Sequence, residues 1–264
     1  MATLVSFHAH PDDEAIPTAG TLAKAAKEGH RVVLVFGTRG EHGEVADGFL
    51  APGETLAERR VQETHRSAEI LGAARVEFLG YVDSGMMGTP ENNDPASFWQ
   101  ADVEEAARRL ADILEEEGAD ILTVYDDHGV YGHPDHIQVH RVGVRAAEIA
   151  GTPRVYESTA NRDAVQRGFL EARDMGVELP GDLDPDAFKD FGVREDEITT
   201  EVDVSDYLDV KRASMRAHAS QIAETSFFLS IPEEFFARAF GQESYIRRGD
   251  RPAHRETSLF DGLE

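Results

Sequence analysis

His10-Pro11-Asp12-Asp13 and His133-Pro134-Asp135-His136 each set imidazole beside carboxylate around a proline, in two short words far apart in the chain. Imidazole and carboxylate are the donors a divalent cation takes where thiolates are missing, and this chain has no cysteine. Each word also holds a carboxylate that can stay off a metal and move a proton. Joined, the words have the equipment of a metal hydrolase: three protein ligands, an open position for water and a free base. His10, Asp13 and His136 supply such a ligand set, and Asp12 is then placed to take a proton from water. Pro134 suits the first position of a helix, which makes His133 its cap and puts His136 in the first turn, so that the two imidazoles point different ways. His133, oriented by Asp135, is expected to stabilise an oxyanion and protonate a leaving amine, its acidic neighbour raising the imidazolium population. Taken singly, either word could be only a turn and a helix cap. Both at strand ends of one sheet point to a metal site.

The elements that must bring them together alternate. An apolar run from Leu4 to His8 ends in the first word, a helix is expected over Gly20 to Gly29, and Arg31 to Phe36 is a buried strand. A helix from about Glu54 to Leu71 stops at Gly72 and is followed by a strand at Arg75 to Leu79. Another runs from about Ala101 to Glu117, stops at Gly118, and leads into a strand at Ile121 to Tyr125. The second word opens a helix to about Ala150, and Arg154 to Glu157 makes a fifth strand. Such alternation predicts an α/β fold with a parallel sheet and helices on both faces, where ligands sit outside the carboxyl ends of the strands. Both words fall there.

Past Ser158 the pattern weakens. It predicts a helix near Asp163 to Met175, a loop over Gly181 to Asp190, a strand at Ile198 to Val202, a helix capped at Asp203 to Ser205 and running to Ile222, and a short helix after Pro232. The last dozen residues are polar enough to fray. The organisation expected is one domain over 1–264, with a core at 1–158 and a C-terminal extension at 159–264.

Composition narrows the partners. Fifty-one acidic against 26 basic residues give a formal charge of -25, which argues against nucleic acid and against an anionic membrane. A solvated acidic shell is the plain reading of that charge. The chain has no run of roughly eighteen apolar residues and opens on a strand-like stretch in place of a basic and then apolar leader, so a soluble, cytoplasmic protein is expected. A homo-oligomer is left open.

Ala9-His10-Pro11-Asp12-Asp13-Glu14 and Gly132-His133-Pro134-Asp135-His136, with Thr38-Arg39-Gly40-Glu41 after the second strand, resemble the LmbE/PIG-L superfamily of zinc-dependent N-deacetylases. The resemblance is close over residues 3 to 160 and looser through Lys211 to Gln221. It implies a Rossmann-like fold and removal of acetate from an N-acetylglucosamine unit. It also implies one Zn2+ on His10, Asp13 and His136, with Fe2+ as the alternative in the cell, Asp12 as general base, and His133 with Asp135 as electrostatic and acid partner. Gly43-Glu44-Val45, Arg60 with Glu63, and Asp83-Ser84-Gly85-Met86 are similar to segments lining the sugar and inositol pocket in the mycothiol branch of the family. Glu44, Arg60 and Asp83 are therefore the implied substrate contacts, and Tyr131 matches a mobile tyrosine that assists at the carbonyl oxygen. Plainer readings stand beside these: a helix-surface pair for Arg60 and Glu63, a turn cap for Asp83, a packed aromatic for Tyr131. His8, His30, His42, His65, His128 and His140 read as structural or solvated, and His218 stands between the two readings.

The activity implied is deacetylation of a GlcNAc-inositol-like glycoside, the partner being a small amino-sugar substrate. The alternatives are an amidase cleaving a mycothiol S-conjugate or related N-acyl amino sugar, a non-catalytic sugar- or metal-binding module, and a metal-dependent phosphoesterase. A binding module has no need of an unligated base such as Asp12, and a phosphoesterase more often shows a second metal cluster. Arg39, His42 and the segment Glu91 to Trp99 depart from the mycothiol pattern, so the substrate stays open where the chemistry does not.

Overall fold

The computed structural model describes residues 1–174 and 189–263, so most of the loop expected over Gly181 to Asp190 and the Met175 end of the preceding helix lie outside the described residues. In chain order the elements are β1 (Thr3–His8), α1 (Ala19–Lys27), β2 (Arg31–Phe36), α2 (Leu56–Leu71), β3 (Arg75–Phe78), α3 (Val103–Glu117) and β4 (Ile121–Tyr125). There follow the short turn α4 (Gly129–Gly132), α5 (Pro134–Ala150), β5 (Arg154–Thr159), α6 (Arg162–Asp174), β6 (Thr200–Asp203), α7 (Leu208–Ala217), α8 (Phe227–Ser230), α9 (Glu233–Phe240) and β7 (Gln242–Arg247).

The sheet order is β3-β2-β1-β4-β5-β7-β6, with β1 to β5 parallel and β7 antiparallel to both β5 and β6. Alternate strand residues feed two cores. Val5, Phe7, Val33, Val35, Leu122 and Val124 pack with α3 and α5, while Leu4, Val32, Leu34, Phe36 and Ile121 pack with α1 and α2. That two-sided burial is why these strands read as unbroken apolar runs. Local chemistry sets the helix ends: Thr55 and Glu58 form a reciprocal capping box at the start of α2, Asp102 caps α3, and Gly72 and Gly118 close them in the left-handed conformation.

The order 3-2-1-4-5 reverses direction between β1 and β4, and in such a sheet the crevice at the reversal is where ligands bind. The first word follows β1 and the second follows β4, so both open onto that crevice.

The C-terminal part completes this framework. Tyr245 of β7 is fully buried, and Glu243 accepts hydrogen bonds from Gly20 N at 2.9 Å and Thr21 N at 2.8 Å while pairing with buried Lys211 at 2.7 Å. The carboxylate thus meets the positive end of α1, and α7 packs across α1 and α2. Two expectations are corrected here, and one strand is added. Strand β7 was not anticipated, because its Gln-Glu-Ser start reads as polar although Glu243 is consumed inside the fold. Helix α7 ends at Ala217, not Ile222, because the chain turns at His218 to set Ser220 on Glu63. The tail does not fray: Leu259 is buried, Phe260 stacks on His30 at 3.8 Å, and buried Glu256 binds Thr200, Tyr156 and Arg247. No described helix is long and apolar enough to cross a membrane.

Candidate active site

Past the end of β1 the backbone turns through Pro11 into a short 3-10 turn, Asp13–Ala15, which separates the carboxylates of Asp12 and Asp13. Asp13 folds back under the turn, its Oδ2 accepting from His10 N at 2.8 Å. The same carboxylate meets both expected imidazole ligands, Oδ2 lying 3.4 Å from His10 Nδ1 and Oδ1 3.3 Å from His136 Nε2. His10, Asp13 and His136 therefore converge as their spacing predicts, Asp13 standing between the two rings. Nitrogens of His10, His133 and His136 also lie within 4.8 Å of one another.

The donor set fits a cation on charge as well as type. Three carboxylates surround the buried His10 ring: Asp135 at 3.1 Å, Asp13 at 3.4 Å and Asp83 at 3.5 Å. Burial disfavours a charge on His10, yet hydrogen bonds donated to Asp13, Asp135 and Asp83 outweigh it and hold the imidazolium well above its ordinary range. Burial likewise opposes ionisation of Asp13 and Asp83, but the neighbouring imidazoles keep both carboxyls well below theirs. Positive charge is what this cluster demands, and a divalent ion on His10, Asp13 and His136 would meet the demand with donors of the right type.

Asp12 stands apart from these donors. Its φ of 107° and ψ of -25° lie in a region costly for a residue with a Cβ, of order ~1–3 kcal/mol. Its Oδ2 is 3.2 Å from Arg60 Nη2, and the same guanidinium donates to the carbonyls of Pro11 and Gly40. Burial pushes the Asp12 carboxyl up to about 6, against the pull of Arg60. A carboxylate off the metal set with such a value suits a base that must also give its proton back. Gly40 makes this packing possible: with φ 64° it has no Cβ, and one there would collide with the Arg60 guanidinium.

In the second word Pro134 opens α5 and His133 caps it, as expected, and His133 Nδ1 accepts from Asp135 N at 3.1 Å. The expected pairing of the Asp135 carboxylate with His133 is not formed. That carboxylate binds Ser84 through the serine's N–H at 2.9 Å and its hydroxyl, and reaches His10 Nε2 at 3.1 Å. A lone pair committed at Nδ1 leaves the proton of the neutral His133 ring on Nε2. Burial, then the neighbouring His10 and His136, push His133 down to about 3, so the expectation of an enriched imidazolium is corrected as well.

The three substrate candidates separate. Asp83 lines the 230 Å³ cavity over the cluster and also caps its own turn, accepting from Gly85 N at 2.8 Å. Arg60 lines the same cavity, but its guanidinium is committed to Asp12, Pro11 and Gly40. The pair expected with Glu63 is not formed, because Glu63 binds Ser220. Glu44 is exposed and lines a neighbouring cavity of about 620 Å³ with Phe49 and Gln221, beside the cavity over the cluster. Tyr131 is 48% exposed at the rim, its hydroxyl 3.3 Å from His136 Nε2, on a turn where Val130 takes φ 65°. Met86 lines the cavity with Asp83 and Gly85 of the same segment, whereas sequence reading missed His42 as a cavity residue and the contacts that Ser84 and Glu14 make behind it. His42 stands next to the Thr38 to Glu41 word, which was the available signal. His8 is structural as expected, neutral between Ser6 and Tyr125 with burial pushing it down to about 4.

Residues 5–147 match the family described as PIG-L, GlcNAc-PI de-N-acetylase. A protein of Thermomonospora curvata named 1D-myo-inositol 2-acetamido-2-deoxy-alpha-D-glucopyranoside deacetylase is 40% identical over 98% of this chain and 96% of its own. One of Acidothermus cellulolyticus with the same name is 42% identical over 100% of this chain and 96% of its own. In fold, the chain is similar to the N,N'-diacetylchitobiose deacetylase of Pyrococcus horikoshii, with TM-score 0.56 at 21% identity over 99% of this chain and 86% of that one.

Proposed function

This chain belongs to the GlcNAc-PI de-N-acetylase family, and on that premise we propose that it is a metal-dependent hydrolase that removes the acetyl group from an N-acetylglucosamine glycoside of inositol. The observation that carries the reading is the division of four neighbouring side chains. His10, Asp13 and His136 face one another as donors, while Asp12 stays off the set with its carboxylate in the cavity.

Zinc held by His10, Asp13 and His136 would polarise the amide carbonyl and acidify water. Asp12 accepts the water proton as the oxygen adds to the carbonyl carbon. The developing oxyanion is met by the Nε2–H of His133 and the Tyr131 hydroxyl. As the C–N bond breaks, Asp12 returns its proton to the amine nitrogen, giving the free amino sugar and acetic acid, whose remaining proton is lost to the released amine to leave acetate. Asp12 takes this second transfer because His133, held neutral, is a hydrogen-bond donor and not a proton reservoir. Asp83 orients the sugar from the cavity wall, and Arg60 acts on the substrate side through Asp12.

The test offers zinc-loaded protein a panel containing GlcNAc-inositol, other N-acetyl sugars and a thiol-conjugated N-acyl amino sugar, with amine release measured. Turnover confined to the thiol conjugate would overturn the deacetylase reading in favour of an amidase. Asp12→Ala should abolish turnover with zinc still bound, whereas His136→Ala should lose zinc.

A further inference from the structure

The strained conformation of Asp12 depends on the orientation of one peptide unit, the bond joining Pro11 to Asp12. Its carbonyl and N–H point in opposite directions, as in any trans peptide, and each meets a buried charged side chain. On one side Arg60 Nη2, from α2, donates to the Pro11 carbonyl. On the other, Asp12 N donates to Glu14 Oε2 at 3.1 Å. Glu14 is itself fixed: its Oε1 accepts from Ser67 Oγ of α2 at 2.5 Å and lies 2.5 Å from His218 Nε2, just past the end of α7. Ser67 Oγ in turn meets Ser214 Oγ of α7 at 2.7 Å. Glu14, Ser67, Ser214 and His218 are all fully buried, and the reaction above uses none of them.

A buried carboxylate and imidazole lose their hydration, and apolar residues of the same shape would often join two elements at least as stably. An apolar side chain could not, however, accept the Asp12 N–H. We propose that Glu14 and His218 are positioning residues for the hydrolysis: the pair clamps the Pro11–Asp12 peptide against Arg60 and so aims the Asp12 carboxylate. The inference rests on the reading of Asp12 as the base. It gives the turn at His218, which ends α7 early, a function at the opposite end of the chain.

The zinc-loaded full chain is assayed on GlcNAc-inositol by amine release, with zinc content and folded fraction measured for each variant. Glu14→Ala is expected to lower kcat about 100-fold, the scale of a misplaced catalytic group, with KM and zinc content near parental. Glu14→Gln keeps a carbonyl oxygen for the Asp12 N–H and is expected to restore kcat to within about threefold of the parent. A Glu14→Ala protein turning over within about twofold of the parent, per folded zinc-loaded molecule, would refute the clamp. Should that variant not fold, Glu14→Asp keeps a charge opposite His218 but shortens the arm, and the same kcat loss is expected; parental kcat there refutes the clamp equally. Asp12→Ala in parallel separates the two ideas. If it is inactive while the Glu14 variants are parental, only the positioning role fails, and if it is active, the base assignment fails.

Discussion

Ser84→Ala probes how the fold prepares the proposed metal centre without touching a proposed donor. Ser84 gives Asp135 two hydrogen bonds, one from its N–H at 2.9 Å and one from its hydroxyl, and Asp135 meets His10 Nε2 at 3.1 Å. This contact occupies Nε2 and leaves Nδ1 of His10 facing Asp13, the orientation the proposed ligand role needs. The substitution keeps the backbone bond and removes the hydroxyl bond, which also leaves Trp99 N without its acceptor. A hydrogen bond to a charged group contributes about 1.5–3 kcal/mol. Loss of a partner behind a metal ligand typically weakens binding about 10–100-fold, which is about 1.4–2.8 kcal/mol, so the two scales agree. The expected outcome is a zinc dissociation constant raised about 10–100-fold in competition with a chromophoric chelator. Trp99 is the chain's single tryptophan, and its fluorescence reports whether the 84–99 segment stays in place. An unchanged zinc affinity, with Trp99 emission shifted, would show that Asp135 orients His10 without help from Ser84, and the reasoning would be wrong.

Three other outcomes follow from the same contacts. Arg60→Gln removes the positive charge 3.2 Å from Asp12, so the Asp12 carboxyl should rise by about 1–3 units; because the base must be ionised, the acidic limb of kcat/KM should move to higher pH by that amount, and a pH–rate profile checks it. Tyr131→Phe should lower kcat about 10–100-fold with zinc content unchanged, by loss of one oxyanion donor, measured by steady-state kinetics beside elemental analysis. Glu243→Gln leaves buried Lys211 without its counter-charge and weakens the cap on α1, at a cost of about 3–5 kcal/mol, so thermal unfolding should begin roughly 6–20 °C earlier.

Much of this was legible in the sequence because it is local. The proline in each word, the glycines that stop α2 and α3, and the apolar runs of β1, β2 and β4 act over a few residues, and the strand order then carries both words to one crevice. Partners fixed only by the folded chain were not legible. Asp135 finds Ser84 across 51 residues and Glu14 finds His218 across 204, and neither pairing leaves a period or spacing to read. The same holds for β7, whose Glu243 looks like a surface residue until α1 supplies its two N–H groups. The adjacency of His133 and Asp135 misled for the opposite reason. Residues two apart at a helix start meet through the backbone N–H, and here the Asp135 carboxylate, although within 4.8 Å of the His133 ring, is taken by Ser84 and His10.

That choice of partners bears on how protons are handled. His133 lies 4.6 Å, ring to ring, from His10, within a cluster that already demands one positive charge. A second cation there would be repelled by whatever meets that demand, whether a proton on His10 or a divalent ion on the donor set. His133 is thus held neutral by burial first and by its neighbours second, and a neutral ring can donate Nε2–H to a developing oxyanion without first acquiring a proton. In the proposed reaction proton transfer then falls to Asp12, which burial raises towards neutrality and Arg60 keeps from rising further. One carboxylate moving the proton both ways needs exact aim at two atoms in succession. Such a demand accounts for a strained residue clamped from both sides where an unstrained turn would have been simpler to fold.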